Sequence, residues 1–529
     1  MAEKQPVSPS PDAEKLESLV ITAENADNET NGDSQNAGIK MSTWRRRATM
    51  ATLCLTQFTT ALDVTIIATA LPTITRTLNA NASQYAWIGS SYTLASTSSS
   101  PIWAKMSDLF GVKWTLIAAN VVFAGGSLLA ALSTTPALLI GGRTLLGIGS
   151  GGIQVLITIL IGRMFVMAER AKYYGLMGLV FAAASGLGPV LGGVFTQTIG
   201  WRWCFWINLP INASALAVLT CTLMADVPLS ILFDSLRKLD WTGMILIIGG
   251  AVAFLFGLQT GAGSETTWKS ASAVAPLAAG ITLLAVFVWY ETSFAKEPLI
   301  PMRIFCALGP AAAMAITCLH SFAFIACDFF LPLYYQIVLQ FSPLKAGLAL
   351  LALVVPLSLA TFLTGLLVRR LGSFTLFMVT GSAMMLLGTS LLTNFGTRTE
   401  WAKIICFQIV LGVGVGQVFQ TPLLALQSFV SAEHLTPAIS AQGFARNLFS
   451  SVSIVVGTVL LETKIGSSLD AIERTESELT TYTEAFWRMW IFYTCVCATM
   501  LLMAMIMVIR KAKGDGSRKG WKECFSNAA

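Results

Sequence analysis

The stretch from Thr49 to Leu71 reads TMATLCLTQFTTALDVTIIATAL and holds a single charged residue, Asp63. About 20 mainly apolar residues suffice to cross a bilayer as a helix. This run is long enough to span, and Asp63 then lies inside the membrane. Runs of the same kind fill the rest of the chain. Hydrophobic residues make up 54% and charged residues only 12% of the 529 positions, whereas a soluble domain carries about a quarter charged residues. A chain so poor in charge cannot cover a water-facing surface of its size, so lipid is its solvent. Fourteen spans are predicted, starting near Thr49, Gln84, Trp114, Pro136, Tyr173, Trp203, Trp241, Ala271, Pro310, Lys345, Gly372, Ala402, Pro437 and Ala485. The fold class is all-α. Continuous helices satisfy every backbone group in lipid, and no stretch shows the ten-residue alternation of a barrel.

Lys and Arg orient the spans. Arg45, Arg46 and Arg47 precede the first, and Arg510, Lys511, Lys513, Arg518, Lys519 and Lys522 follow the last. Loops on the same side add Lys105, Lys113, Arg163, Arg170, Lys172, Arg369 and Arg370, while the longest opposite loop, Glu462 to Glu484, is mostly acidic. Basic loops face the cytosol, so both termini are expected there. This bias accounts for the net charge of +6 and requires no nucleic-acid partner. Residues 1–46 read as a disordered cytosolic tail without the apolar core of a signal peptide. The ten cysteines lack paired metal spacing and read as small apolar filler. No metal or other cofactor is expected, and an enzyme is disfavoured because the two histidines, His320 and His434, stand in no ligand cluster. The chain also lacks an ATP-binding domain, so its energy source is expected to be an ion gradient.

Two echoes divide the chain. Leu62-Asp63-Val64-Thr65 leading to Ala70-Leu71-Pro72 is matched by Cys327-Asp328-Phe329-Phe330-Leu331-Pro332. The turn Ala104-Lys105-Met106-Ser107-Asp108-Leu109-Phe110-Gly111 is matched by Gly365 to Gly372. Helices one to six therefore pair with nine to fourteen. The expected organisation is a six-helix bundle over 47–224, two inserted helices over 225–305, a second bundle over 306–510 and a basic cytosolic tail over 511–529. Parallel six-helix repeats are a transporter architecture with the site between the halves.

From about Thr49 to Arg510 the chain resembles the major facilitator superfamily, in particular its fourteen-helix drug:proton antiporter branch. The resemblance rests on several motifs in order. These are Asp63 to Pro72; the loop Ala104 to Lys113; Arg143-Thr-Leu-Leu-Gly147-Ile-Gly149; and Gly186-Leu-Gly188-Pro189-Val-Leu-Gly192-Gly193. Further along come Gly200-Trp201-Arg202-Trp203 through Ile207-Asn208-Leu209-Pro210, then Asp240-Trp241-Thr-Gly243, and Leu331-Pro332-Leu-Tyr334-Tyr335-Gln336. The loop motif departs from the family at Ala104 and Val112, and the helix-four motif at Leu146. The tail resembles filamentous-fungal members, many of which export secondary metabolites. The resemblance implies the major facilitator fold and a proton-coupled exporter of a small organic molecule, a toxin or drug, working by alternating access. It also implies a plasma-membrane location, with the vacuolar membrane as second choice. The expected partners are substrate, protons and the lipid bilayer, and the protein is expected to be a monomer. A carrier for basic amino acids or iron chelates, and a membrane sensor that does not transport, are the competing readings.

Asp63 and Asp328 read either as proton carriers or as anchors for neighbouring helices. Arg143, deep in the fourth helix, needs an internal partner and is grouped with them as coupling or substrate residues. Arg446, beside Asn447, is a candidate cation of the second half or a snorkelling helix end. The resemblance assigns Asp108, Gly111 and Lys113 to a gating loop, and Gly188, Pro189, Gly192 and Gly193 to a helix-packing antiporter motif. Cavity candidates are Gln57, Gln154, Tyr334, Gln336, Gln417 and Gln420, with Thr421, Gln427, Tyr335 and Phe419 beside them; interhelical hydrogen bonding explains such residues equally well. The Gly147–Gly152 and Gly412–Gly416 runs lack the preceding strand a phosphate loop needs. Asn81-Ala-Ser83 is a glycosylation sequon in the first outer loop.

Overall fold

The computed structural model describes residues 42–80, 82–223, 240–261, 268, 270–295, 298–300, 302–431, 434–465 and 476–512. The N-terminal tail, Asn81, the centre of the acidic loop and the basic C-terminal tail lie outside the described residues. Among the described residues fourteen long helical segments follow in order. The first half contains α1 (Thr43–Thr77), α2 (Ala82–Phe110), α3 (Val112–Ala131), α4 (Pro136–Met164), α5 (Met167–Thr198) and α6 (Trp203–Thr222, interrupted at Ile207). Next come α7 (Trp241–Gly261) and α8 (Ala271–Ser293). The second half contains α9 (Leu308–Ile337), α10 (Pro343–Leu371), α11 (Thr375–Leu392), α12 (Trp401–Phe429, interrupted after Val418), α13 (Leu435–Ile465) and α14 (Glu476–Ala512). The face where α1 begins and α14 ends is termed the near face, and the opposite one the far face.

Local chemistry sets several boundaries. Ser42, Thr135 and Ser342 cap α1, α4 and α10 by accepting from the amides of Arg45, Leu138 and Lys345, and Pro136 and Pro343 begin their helices where no donor is needed. Gly372 ends α10 with φ +65°, a left-handed cap that glycine adopts without strain. Within α1, Thr52, Thr56 and Thr59 return their hydroxyls to carbonyls three or four residues back, so polar side chains sit in an apolar helix with their donors satisfied.

Thirteen helices among the described residues are long and apolar enough to cross a membrane. The fourteenth expected span, α2, is helical over its 29 residues but too polar by composition. Its Ser96-Thr97-Ser98-Ser99-Ser100 run is buried, because α2 packs between α4, α13 and α7. Ser99 and Trp103 donate to the Ile148 carbonyl of α4 at 3.3 and 2.9 Å. A helix shielded from lipid by protein tolerates hydroxyls that a lipid-facing helix does not. Elsewhere large apolar side chains point outward, including Ile245, Trp289, Leu359, Leu363 and Leu502. The protein is a multi-pass membrane protein.

The halves repeat one packing plan, set by glycines. Side chains added at Gly147 and Gly151 would strike the α2 backbone at Tyr92 and Ser96, while at Gly149 they would strike Phe123 of α3. In the second half Gly412 and Gly416 meet the α10 backbone at Leu353 and Leu357, and Gly414 meets Met385 of α11. Both glycine runs are thus close helix-packing faces. The halves join along two seams, α5 against α10 and α2 against α13. The inserted pair lies over the second seam: Met244 and Ile247 of α7 and Phe287 of α8 cluster with Ala441 of α13 and Ile102 of α2. Asp240 begins α7 by accepting from the Gly243 amide at 2.9 Å and from the Tyr290 hydroxyl of α8 at 3.1 Å, which gives this motif a structural job.

Candidate functional site

Asp63 is completely buried in the N-terminal half, where α1, α4 and α6 meet. Arg143 donates to its carboxylate at 2.5 Å and to its main-chain carbonyl at 3.3 Å. Arg143 also donates to the Ile88 carbonyl at 3.3 Å, and its guanidinium lies 4.6 Å from the Tyr92 ring centre. The other carboxylate oxygen accepts from the Asn208 amide at 3.0 Å, and Asn208 reaches Ser127 at 3.1 Å. Tyr92 donates onward to the Thr60 carbonyl and to Ser150, which accepts from Gln154 at 3.2 Å. The polar network therefore runs from the ion pair toward Gln154. Asn208 belongs to a motif visible in the sequence, yet its partnership with Asp63, 145 positions away, is created only by folding.

The glycine motif of α5 lies against this network. A side chain at Gly188 would occupy the space of Thr65, two residues beyond Asp63. On its other side α5 meets α10: a side chain at Gly186 would reach Leu351 at 3.2 Å, and one at Gly347 would reach Pro189 at 3.9 Å. Gly192 is buried, and its carbonyl accepts from Thr196. Gly193 has open space around it. Helix α5 thus couples the Asp63 helix to the opposite half.

At the near face the halves are tied together. Arg163 of α4 holds Asp108 of α2 at 2.7 Å and donates to Thr436 of α13 at 2.9 Å. Gln427 of α12 donates to Tyr174 at 2.8 Å and accepts from Arg170 at 3.3 Å, both on α5. Arg369 of α10 faces Glu169 of α5 at 3.7 Å. The partner of Asp108 is thus Arg163. Lys113, expected to share the gating loop with Asp108, instead caps α6 by donating to the carbonyls of Thr220 and Leu223 at 3.0 and 2.6 Å. Gly111 makes the turn between α2 and α3 with φ +79°, a conformation that favours glycine.

The second half is organised differently. Asp328 of α9 is half-buried and has no hydrogen-bond or ion-pair partner among the described residues. His320, Phe324 and Asp328 stand four residues apart and share one face of α9. Phe419, at the break in α12, meets His320 and Phe324 at ring-centre distances of 6.0 and 5.9 Å and Phe181 of α5 at 6.0 Å. The rings of Phe181 and Phe419 therefore meet across the halves.

The cavity candidates separate accordingly. Gln57 and Gln154 are half-buried in the first half, and Gln420 is half-buried beside Phe419. Tyr334 does not face the space between the halves. It is buried in the second half, stacked on Phe395 and donating to the Gly396 carbonyl at 2.5 Å. Gln336 is exposed and bonds the Pro332 carbonyl of its own helix. Gln417 accepts from Thr380 of α11 at 2.8 Å. Interhelical or local bonding thus accounts for the last three, as short helix spacing alone does not reveal which face meets the other half.

Comparison with known proteins agrees with this architecture. The Major Facilitator Superfamily model matches residues 53–457. Relatives include efflux pump dotC of Dothistroma septosporum, 38% identical over 425 residues, covering 80% of this chain and 73% of that protein. MFS-type transporter ppz2 of Metarhizium majus is 40% identical over 443 residues, covering 83% and 76%. Among solved structures, the human organic anion transporter MFSD10 matches with a TM-score of 0.59 at 14% identity, covering 85% of this chain and 99% of that one. This last likeness concerns the fold alone.

Proposed function

The chain belongs to the Major Facilitator Superfamily, and within it we propose a proton-coupled antiporter that exports a small organic molecule. It is a membrane transporter rather than an enzyme, and its relatives carry the names of efflux pumps. The observation that carries the proton reading is the fully buried Asp63, held by Arg143 and Asn208 and backed by the α5 glycine face. A charge inside a membrane bundle is costly, about 2.5–3.5 kcal/mol on insertion scales. Pairing it with Arg143 lowers that cost, and protonating it removes the carboxylate's charge and releases Arg143.

The mechanism follows from these contacts, with the near face taken as cytosolic. On this reading the contacts of Arg163 with Thr436, Gln427 with Tyr174 and Arg369 with Glu169 hold the near face shut. A proton on Asp63 releases Arg143, loosens α1 against α4 and α6, and shifts α5 through the Gly188–Thr65 contact. Because α5 also packs on α10, that shift reaches the second half. When the near-face ties part, Asp63 gives its proton to the cytosolic side, Arg143 re-pairs with it and substrate enters; substrate leaves at the far face when the ties re-form, and Asp63 is loaded again from that side. The plasma membrane is the site this reading favours.

The test uses proteoliposomes and an imposed pH gradient without nucleotide. Asp63→Asn keeps the size and the Asn208 contact of the side chain but leaves Arg143 without its carboxylate, so uphill efflux, measured per inserted protein, should fall at least tenfold. Unimpaired gradient-driven efflux by Asp63→Asn would remove this carboxylate from coupling.

A further inference from the structure

Arg446 stands eleven residues beyond Leu435, where α13 begins, and so is well inside the membrane. Gln442, one turn earlier, donates to Thr317 of α9 at 2.7 Å, which places Arg446 near the level of His320. Its guanidinium lies 4.1 Å from the centre of the Phe419 ring. It is partly exposed, and among the described residues it has neither a carboxylate within 4 Å nor any hydrogen-bond acceptor. Arg143, deep in α4, is occupied by Asp63, and at the near face Arg170 is occupied by the Phe165 carbonyl and Gln427. Of these three, Arg446 is the one with no protein acceptor among the described residues, and it lies next to the aromatic rings that join the halves.

A guanidinium presents five N–H donors in a planar fork that fits an oxyanion with two parallel bonds. Left without an anion in an apolar setting it is expensive, and the cation–π contact with Phe419 offsets only about 2 kcal/mol. The nearest unpaired acid on the facing helix, Asp328, stands eight residues beyond His320, or about 12 Å along α9 at 1.5 Å per residue. The wall thus presents a cation at one level, a carboxylate nearer the far face, and the rings of Phe181, Phe324 and Phe419 beside them.

We propose that Arg446 receives the acidic group, a carboxylate or ionised phenol, of a flat aromatic substrate whose ring lies against Phe419 and Phe181. This assignment rests on the exporter reading for the word substrate, but the binding step does not. The Asp328 end of the wall disfavours a second negative charge, so the preferred ligand carries its acid at one end only.

Matched fluorescent probes test the charge preference. 1-Pyrenecarboxylate and 1-pyrenemethylammonium share one ring system and differ in charge. Binding of each is measured on the purified full-length protein in detergent, without any gradient. The unmodified protein should bind the carboxylate at least tenfold tighter. Arg446→Gln should erase that preference through loss of carboxylate affinity, Arg446→Lys should retain part of it, and Phe419→Leu should weaken both probes alike. Equal affinity for the two probes in the unmodified protein overturns the proposal, as does unchanged carboxylate binding by Arg446→Gln. If the Gln variant does not fold, a Lys variant with no change in preference overturns it equally. Arg446-dependent binding without flux under a pH gradient refutes the exporter reading and leaves the anion site intact. Gradient-driven flux with no charge preference does the reverse.

Discussion

Where α1 of the first half buries Asp63 under Arg143 and Asn208, α9 of the second half carries Asp328 half-buried and without a partner among the described residues. The same contrast appears in the partner helices. Arg143 is the eighth residue of α4, which starts at Pro136, and Gln408 is the eighth of α12, which starts at Trp401. Arg143 serves a charge; Gln408 donates to the Ala349 and Ile404 carbonyls at 3.0 and 2.9 Å. The glycine contacts of α4 and α12, by contrast, are nearly interchangeable. The two halves thus share how these helices approach, while their buried chemistry differs. One half holds a locked ion pair, and the other holds an open cation and an open acid.

The largest expected effect breaks the locked side. Arg143→Ala leaves a buried carboxylate uncompensated, which costs about 3–5 kcal/mol, so thermal unfolding in detergent should occur at a markedly lower temperature. Asp328→Asn, which severs no contact, should stay within about 0.5 kcal/mol. Similar losses from the two variants would show that the halves are equally locked. The double variant Asp63→Asn, Arg143→Gln should recover most of the stability, because a neutral hydrogen-bonded pair replaces the charged one.

The glycine face comes next. Gly188→Val forces its side chain into Thr65 and should cost about 1–3 kcal/mol by overpacking, along with most of the efflux. Gly193→Ala meets open space and should leave both intact. If efflux survives Gly188→Val, the link between α1 and α5 is not a moving part. Arg163→Gln removes one half-exposed ion pair and the bond to Thr436. A surface pair is worth about 0–1 kcal/mol, so spin labels on α4 and α13 should report about a fivefold gain in the population with a parted near face. The effect of Tyr334→Phe on transport should be the smallest. Losing its bond to Gly396 should lower stability by about 1 kcal/mol and leave the range of exported molecules unchanged.

The membrane environment, the order of the helices and the lone charges Asp63 and Arg143 within them are determined by the sequence, while several helices start earlier than their apolar runs, α14 at Glu476 rather than near Ala485. Their signals are local: uninterrupted apolar length, a lone charge within it, and glycines at helix spacing. Even α2, too polar to pass as a span by composition, declares itself through the motifs at its end. Only the tertiary structure decides who meets whom. It gives Asn208 to Asp63, Arg163 to Asp108 and Lys113 to the end of α6. It also turns Tyr334 and Gln417 into packing contacts, and brings Phe181 to Phe419 with Arg446 beside them. The physical reason is that most helices here are apolar on nearly all sides. Periodicity can then assign a residue to a helix but not to the face that meets another half, and the long-range partner alone settles whether a buried polar group is locked or open.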